Sequence, residues 1–322
     1  MAINTTNNTG ILLESGTNEM ELLTVFVGTQ AFGMNVAKVQ SIQQYDTELI
    51  TLLPESPPGV AGMYLYRNQT IPLLDLSQIL NIEPTPGDGH ESTTSVDDRE
   101  IIVVTEFNNT INSFKVQGVK RIYRMSWQEF VPLDTMFENN ACFTGSVQVE
   151  DTQILVLDLE HILAGIFPDL ILEEVTEDVL HQKQTIPRDQ IDILFAEDSP
   201  TMRKKVVATL KGAGFLHIKD FINGEQALAF IRANYLNKTP EDIRKTVLIT
   251  DIEMPKMDGL TLCRQIKQDP VLKDIYVVMF SSLINKQMKA KCQMVQAENY
   301  VTKPETNELI KMLDKQIGRA HV

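Results

Sequence analysis

Cysteine is scarce in this sequence: Cys142, Cys263 and Cys292 lie far apart, and no CxxC pair occurs. An odd, scattered set argues against a disulfide framework and fits reduced, mostly buried thiols. Positive charge is also short, with 29 Lys+Arg against 43 Asp+Glu and a formal net charge of −14. A nucleic-acid binder would carry a basic stripe, so that class is excluded. No apolar run approaches the roughly 18 residues that a membrane-spanning helix needs, so direct membrane insertion is not expected. The opening MAINTTNNTG has neither a basic n-region nor an apolar h-region. A secretory signal peptide is therefore not expected, and the chain is expected to be soluble and cytoplasmic. The sequence also has no G-x-S-x-G, P-loop or G-x-G-x-x-G. In the first half, His90 and His161 have no cysteine or carboxylate at metal-ligand spacing.

What is present divides in two, as a chain of 322 residues should. The first half holds short runs rich in β-branched and aromatic residues: LLTVFVG (22–28), FGMNV (32–36), TIPLLDL (70–76), IIVVTEF (101–107), INSFKV (111–116) and QILVLDL (153–159). Turn residues separate them, which predicts an all-β barrel or sandwich. The polar stretch at 83–98 reads as a loop. Residues 1–17 form a lead-in, 18–167 the β domain, and 168–189, acidic and bounded by Pro168 and Pro187, a partly helical linker. From 190 to 318 five strand-like runs alternate with five helical ones. That pattern predicts an α/β doubly wound (βα)5 domain with a parallel sheet.

In such a sheet, ligands bind beyond the carboxyl ends of the strands. Polar residues stand at those ends: Glu197 and Asp198 after the first strand, Asp251 after the third, Ser281 after the fourth and Lys303 after the fifth. Three acids facing one pocket repel each other unless a cation joins them. Carboxylate oxygens without nearby His or Cys suit Mg²⁺, and a lysine with a hydroxyl suits phosphoryl oxygens. Together they describe phosphoryl transfer to a carboxylate. Blander roles compete at the edges: Asp198 or Ser199 before Pro200 could only cap a helix, and Asp258-Gly259 reads as a turn and cap without chemistry.

Residues 190–318 resemble the receiver domain of two-component response regulators. The resemblance implies Asp251 as phosphoacceptor and Asp198 as a direct Mg²⁺ ligand. It implies Glu197 acting through the metal's water shell and the backbone carbonyl of Glu253 completing the protein ligands. Ser281 and Lys303 would hold phosphoryl oxygens. Tyr300 falls on the family's switch aromatic, and Lys303-Pro304 on a step that is usually cis. Many receivers have two aspartates where this chain has Glu197-Asp198. The side chain of Glu253 falls where water attacks the phosphoaspartate. The implied activity is acceptance of a phosphoryl group with slow autodephosphorylation, not enzymatic turnover.

The first half, with NVAKVQSI, LPESPPGVAG, LYRNQTIPLLDL and GVKRIYRM, resembles CheW, the chemotaxis coupling protein, over about 18–166. That fold is a pair of five-stranded β-barrels. It implies docking to chemoreceptor tips and to the histidine kinase CheA, with Arg67 in the turn and Val36, Val39 and Val60 near the receptor-facing groove. CheW-like followed by receiver resembles the CheV family. The implied function is a coupling protein at receptor arrays whose activity is modulated by phosphorylation of Asp251, adaptation in effect. The altered receiver face would lie near Tyr300. One alternative is a phosphate sink for CheA without feedback. Another is an aspartyl-phosphate phosphatase of the haloacid-dehalogenase type, disfavoured because those enzymes prefer Asp-x-Asp and a cap insertion.

Overall fold

A computed structural model describes residues 18–83, 100–133, 142–167, 172–182, 186–282 and 286–316. The lead-in, most of the 83–98 loop and Pro168 lie outside the described residues.

The first half is built from two antiparallel-dominated sheets. One has the order β10-β11-β12-β2-β1-β9, from β1 (Glu19–Val27), β2 (Gln30–Asn35), β9 (Gly118–Ser126), β10 (Val131–Pro132), β11 (Phe143–Val149) and β12 (Thr152–Leu157). The other has the order β3-β7-β8-β6-β5-β4, from β3 (Val39–Gln44), β4 (Ile50–Thr51), β5 (Val60–Tyr66), β6 (Gln69–Asp75), β7 (Ile101–Phe107) and β8 (Thr110–Val116). Each sheet thus has five long strands, as expected for the CheW-like pair, plus a two-residue sixth at one edge.

Two cores explain the sequence pattern. Ile102 and Val104 of β7 face a core within their own sheet, with Tyr64 and Leu73. Val103 and Phe107 face the opposite way, into a core shared with Val25, Phe32 and Met34 of the other sheet. A strand buried on both faces reads as a continuous apolar run, which is why IIVVTEF is conspicuous. Strands β3 and β9 were not conspicuous because they are edge strands. Their outward positions carry Gln, Lys and Arg; accessibility alternates along β3, while Lys120, Arg121 and Ile122 of β9 are all exposed.

The second half is a parallel sheet of order β14-β13-β15-β16-β17, from β13 (Asp192–Ala196), β14 (His217–Phe221), β15 (Thr246–Thr250), β16 (Tyr276–Ser281) and β17 (Asn299–Thr302). Every residue of β15 is buried, as a central strand covered on both faces requires. One face packs against α5 (Gly224–Tyr235) and α7 (Gly259–Gln268), and the other against α4 (Pro200–Gly212) and α9 (Thr306–Gln316). Five expected helices are joined by a sixth, Pro240–Arg244, whose start is a Thr239–Asp242 capping box.

Described parts of 168–189 pack onto the receiver. Leu172, Val175, Val179 and Ile186 join its core. Arg188 is fully buried, grips Asp314 through two nitrogens at 2.6 and 2.9 Å, and donates to the Val179 and Ala213 carbonyls.

Candidate functional site

The strand order reverses between β13 and its neighbours β14 and β15, and the polar residues converge beyond that switch point. Ser199 caps α4 and Pro200 occupies its first turn, which leaves Glu197 and Asp198 free of capping duty. Asp258 caps α7, accepting from the Thr261 N–H. The cap positions the loop that follows Asp251. A Cβ on Gly259 would stand 2.0 Å from the Asp251 carbonyl oxygen, so only glycine lets the loop close there.

Carboxylate oxygens of Glu197, Asp198 and Asp251 lie within 4.8 Å of one another. Lys303 is 1% exposed and donates to Asp251 Oδ2 at 2.8 Å, with Glu197 Oε2 at 2.7 Å. The Lys303-Pro304 bond is cis. Burial alone would lower the Lys303 pKa, but Asp251, Glu197 and Glu160 outweigh it and hold the ammonium well above its usual range. Burial pushes Glu197 up to about 7, with Asp251 adding to the rise and Lys303 opposing it. Burial, then Glu197 and Asp251, push Asp198 well above the carboxylate range. The acid cluster carries more negative charge than Lys303 alone can match. A hard divalent cation with oxygen ligands fits that deficit. Ser281, at the end of β16, is buried and its Oγ has no partner among the described residues. A phosphoryl oxygen would satisfy it.

The other expected residues separate from this cluster. Tyr300 is half-buried on β17, packs on the receiver core, and has Lys289 Nζ 5.0 Å from its ring centroid. Arg67 and Asn68 both adopt positive φ in the two-residue β5–β6 hairpin, and the Arg67 guanidinium lies over Tyr66. Val60 belongs to the shared core, while Val36 and Val39 are partly buried against it.

A second wall faces the acid cluster, and it belongs to the first half of the chain. A cleft of about 300 Å³ runs between the halves, lined by Glu197, Asp198, Asp251 and Glu253 on one side and by Asn35, Lys38, Asp158 and Glu160 on the other. Lys38 ends a short 3₁₀ turn, Val36–Lys38, and its Nζ lies 2.9 Å from Glu160 Oε1 and 3.9 Å from Glu253 Oε2. Asn35 donates to the Glu253 carboxylate. Glu160, in the first turn of α2 (Leu159–Ile166), also accepts from Ser282 Oγ at 2.6 Å, and the Asn108 N–H donates to the Ser282 carbonyl. Burial would raise the Glu160 pKa, but Lys38 and Lys303 overcome it and bring the group down to about 2. Burial lifts Glu253 to about 7, with Lys38 opposing. At the rim, the Asn18 side chain bridges Lys256 and Asp258, and Asn109 donates to Glu305 at 2.8 Å.

The first half therefore meets the receiver over the loop that follows Asp251, a contact that no expectation from the sequence covered. Sequence reasoning did not single out Asn35, Lys38, Asn108 or Glu160. The nearest signal was the position of Lys38 between Val36 and Val39, and it pointed to a partner groove.

Residues 21–167 match the CheW-like domain family, and residues 193–314 match the response regulator receiver domain family. The chain is 32% identical over 295 residues to chemotaxis protein CheV3 of Helicobacter pylori, covering 88% of this chain and 89% of that protein. It is 28% identical to chemotaxis protein CheV2 of the same organism, covering 90% of each. Among solved structures, scaffolding protein TtCheW from Thermoanaerobacter tengcongensis is 18% identical, covers 45% of this chain and 92% of that chain, and gives a TM-score of 0.37. No helix among the described residues is long and apolar enough to cross a membrane. With both domains in this order and that identity over 88% of its length, the chain belongs to the CheV family of chemotaxis proteins.

Proposed function

We propose that the chain couples chemoreceptor tips to the histidine kinase CheA in the cytoplasm, and that phosphorylation of Asp251 adjusts the coupling as adaptation. The observation that carries this reading is the position of the coupling half over the acceptor loop. A phosphate sink would need no such contact.

In the proposed transfer, an Asp251 carboxylate oxygen attacks the phosphorus of the kinase's phosphohistidine. The P–N bond breaks as the P–O bond forms, and the imidazole nitrogen keeps the electron pair and takes up a proton. Lys303, already 2.8 Å from Asp251 Oδ2, holds one phosphoryl oxygen. Ser281 donates to another, which draws the end of β16 toward the group. Asp198 and Asp251 would hold Mg²⁺, with Glu197 acting through its water and the Glu253 carbonyl completing the set. Bound there, Mg²⁺ supplies the positive charge that offsets the transferring phosphoryl oxygens. Tyr300 serves as the internal switch of the receiver. In this reading Arg67, Val36 and Val39 of the barrel contribute to the CheA and receptor surfaces, and Leu52 and Leu65 of the same half stay 77% and 47% exposed.

Phosphotransfer from labelled CheA to the wild type and to Asp251→Ala tests the acceptor, and label on the alanine variant would refute it. Reconstituted arrays then separate the readings. Kinase activity should change when the protein is phosphorylated, and unchanged activity would leave only the sink.

A further inference from the structure

Glu160 belongs to the coupling half, yet its surroundings are those of a ligand anion. Its carboxylate is 2.9 Å from Lys38 Nζ and accepts from the hydroxyl of Ser282, the residue after Ser281. Lys303, the ammonium that contacts Asp251, stabilises its charge from the receiver side. Two ammonium groups and a hydroxyl at the end of β16 are the partners a phosphoryl group takes. Lys38 in turn reaches toward Glu253, two residues beyond the acceptor, at 3.9 Å. A group added to Asp251 projects into the cleft that these side chains line.

We propose that Lys38 and Glu160 form a charge-exchange pair, in which Glu160 occupies the anion position until Asp251 is phosphorylated and Lys38 then leaves it to bind the phosphoryl group. Lys38 is thus a phosphoryl-binding residue supplied by the coupling half. Glu160 is its competitor, displaced by like charge. The displacement also loosens the Ser282 contact, so the modification reaches α2 and the 3₁₀ turn at Val36 directly. This inference rests on Asp251 being the acceptor.

Beryllofluoride, a phosphoryl mimic, tests both statements in the full-length protein with Mg²⁺ present. Trp127 is the only tryptophan of the chain and lines the cleft, so its fluorescence reports binding, with calorimetry as a second readout. Lys38→Met should weaken beryllofluoride binding about tenfold, Lys38→Arg should retain most of it, and Glu160→Gln should strengthen it about threefold. A merely structural role for the pair would move Lys38→Met and Glu160→Gln in the same direction. That result, or wild-type affinity in both variants, would overturn the exchange. Failure of the wild type itself to bind would instead overturn the assignment of Asp251, and the exchange with it.

Discussion

On the receiver wall of the cleft, Lys303 stands alone against Glu197, Asp198 and Asp251, whereas on the coupling wall Lys38 is matched by Glu160. Both walls bury charge, but only the second is close to balance. Asp158, its other acid, caps α2 through the His161 N–H. Buried like charges persist where a ligand completes them or where the fold compensates for them. The receiver wall therefore has an excess of acid that a hard cation would offset. The coupling wall has the electrostatics of an interface, whose polar groups already have partners. Removing one acid should consequently have opposite effects on the two walls.

The largest effect is expected from Lys303→Met, which leaves Glu197 and Asp251 without their shared ammonium. The receiver's urea transition should lose about 3–5 kcal/mol in Mg²⁺-free buffer, part of it restored by saturating Mg²⁺. Glu160→Ala comes next. It leaves Lys38 buried with only Glu253 at 3.9 Å, and should cost about 1–3 kcal/mol whether or not Mg²⁺ is present. An equal Mg²⁺ dependence in the two variants would erase the distinction between the walls. Asp198→Asn should reverse the sign. Relieving one repelling carboxylate is expected to stabilise the Mg²⁺-free protein by about 1 kcal/mol, while Mg²⁺ affinity measured by calorimetry falls. The smallest change belongs to the rim, where Asn109→Ala removes an exposed contact to Glu305 and should shift stability by no more than about 0.5 kcal/mol.

The same two walls explain how far the sequence could be read. Asp251, Glu197 and Ser281 were visible because each ends a strand whose apolar run is unmistakable, whereas Lys303 follows the short, half-polar β17 and stood out through the Lys-Pro step. A parallel sheet brings strand ends together whatever the loops do. Asn35, Lys38 and Glu160 offered no such rule. Asn35 caps the turn before Lys38, and Glu160 sits in the acidic first turn of a helix, roles that fully explain both residue types locally. Their second partners lie far along the chain, and only the docking of the two halves selects them. The capping box at Thr239 is a different case. Thr-Pro-Glu-Asp announces a helix start, but the helix it opens spans only Pro240–Arg244 and has too few residues to display a period. Edge strands β3 and β9 escaped for the reason that they are edges, with half of each strand facing solvent.

Whether the coupling half reads the acceptor through the cleft is tested most directly by hydrogen–deuterium exchange on the full chain, with and without Mg²⁺–beryllofluoride. Exchange is expected to change in the receiver loops and also at residues 35–38 and 158–162 of the coupling half, with both coupling segments silent in Asp251→Ala. Changes confined to the receiver, with those two segments unaltered in the wild type, would contradict it.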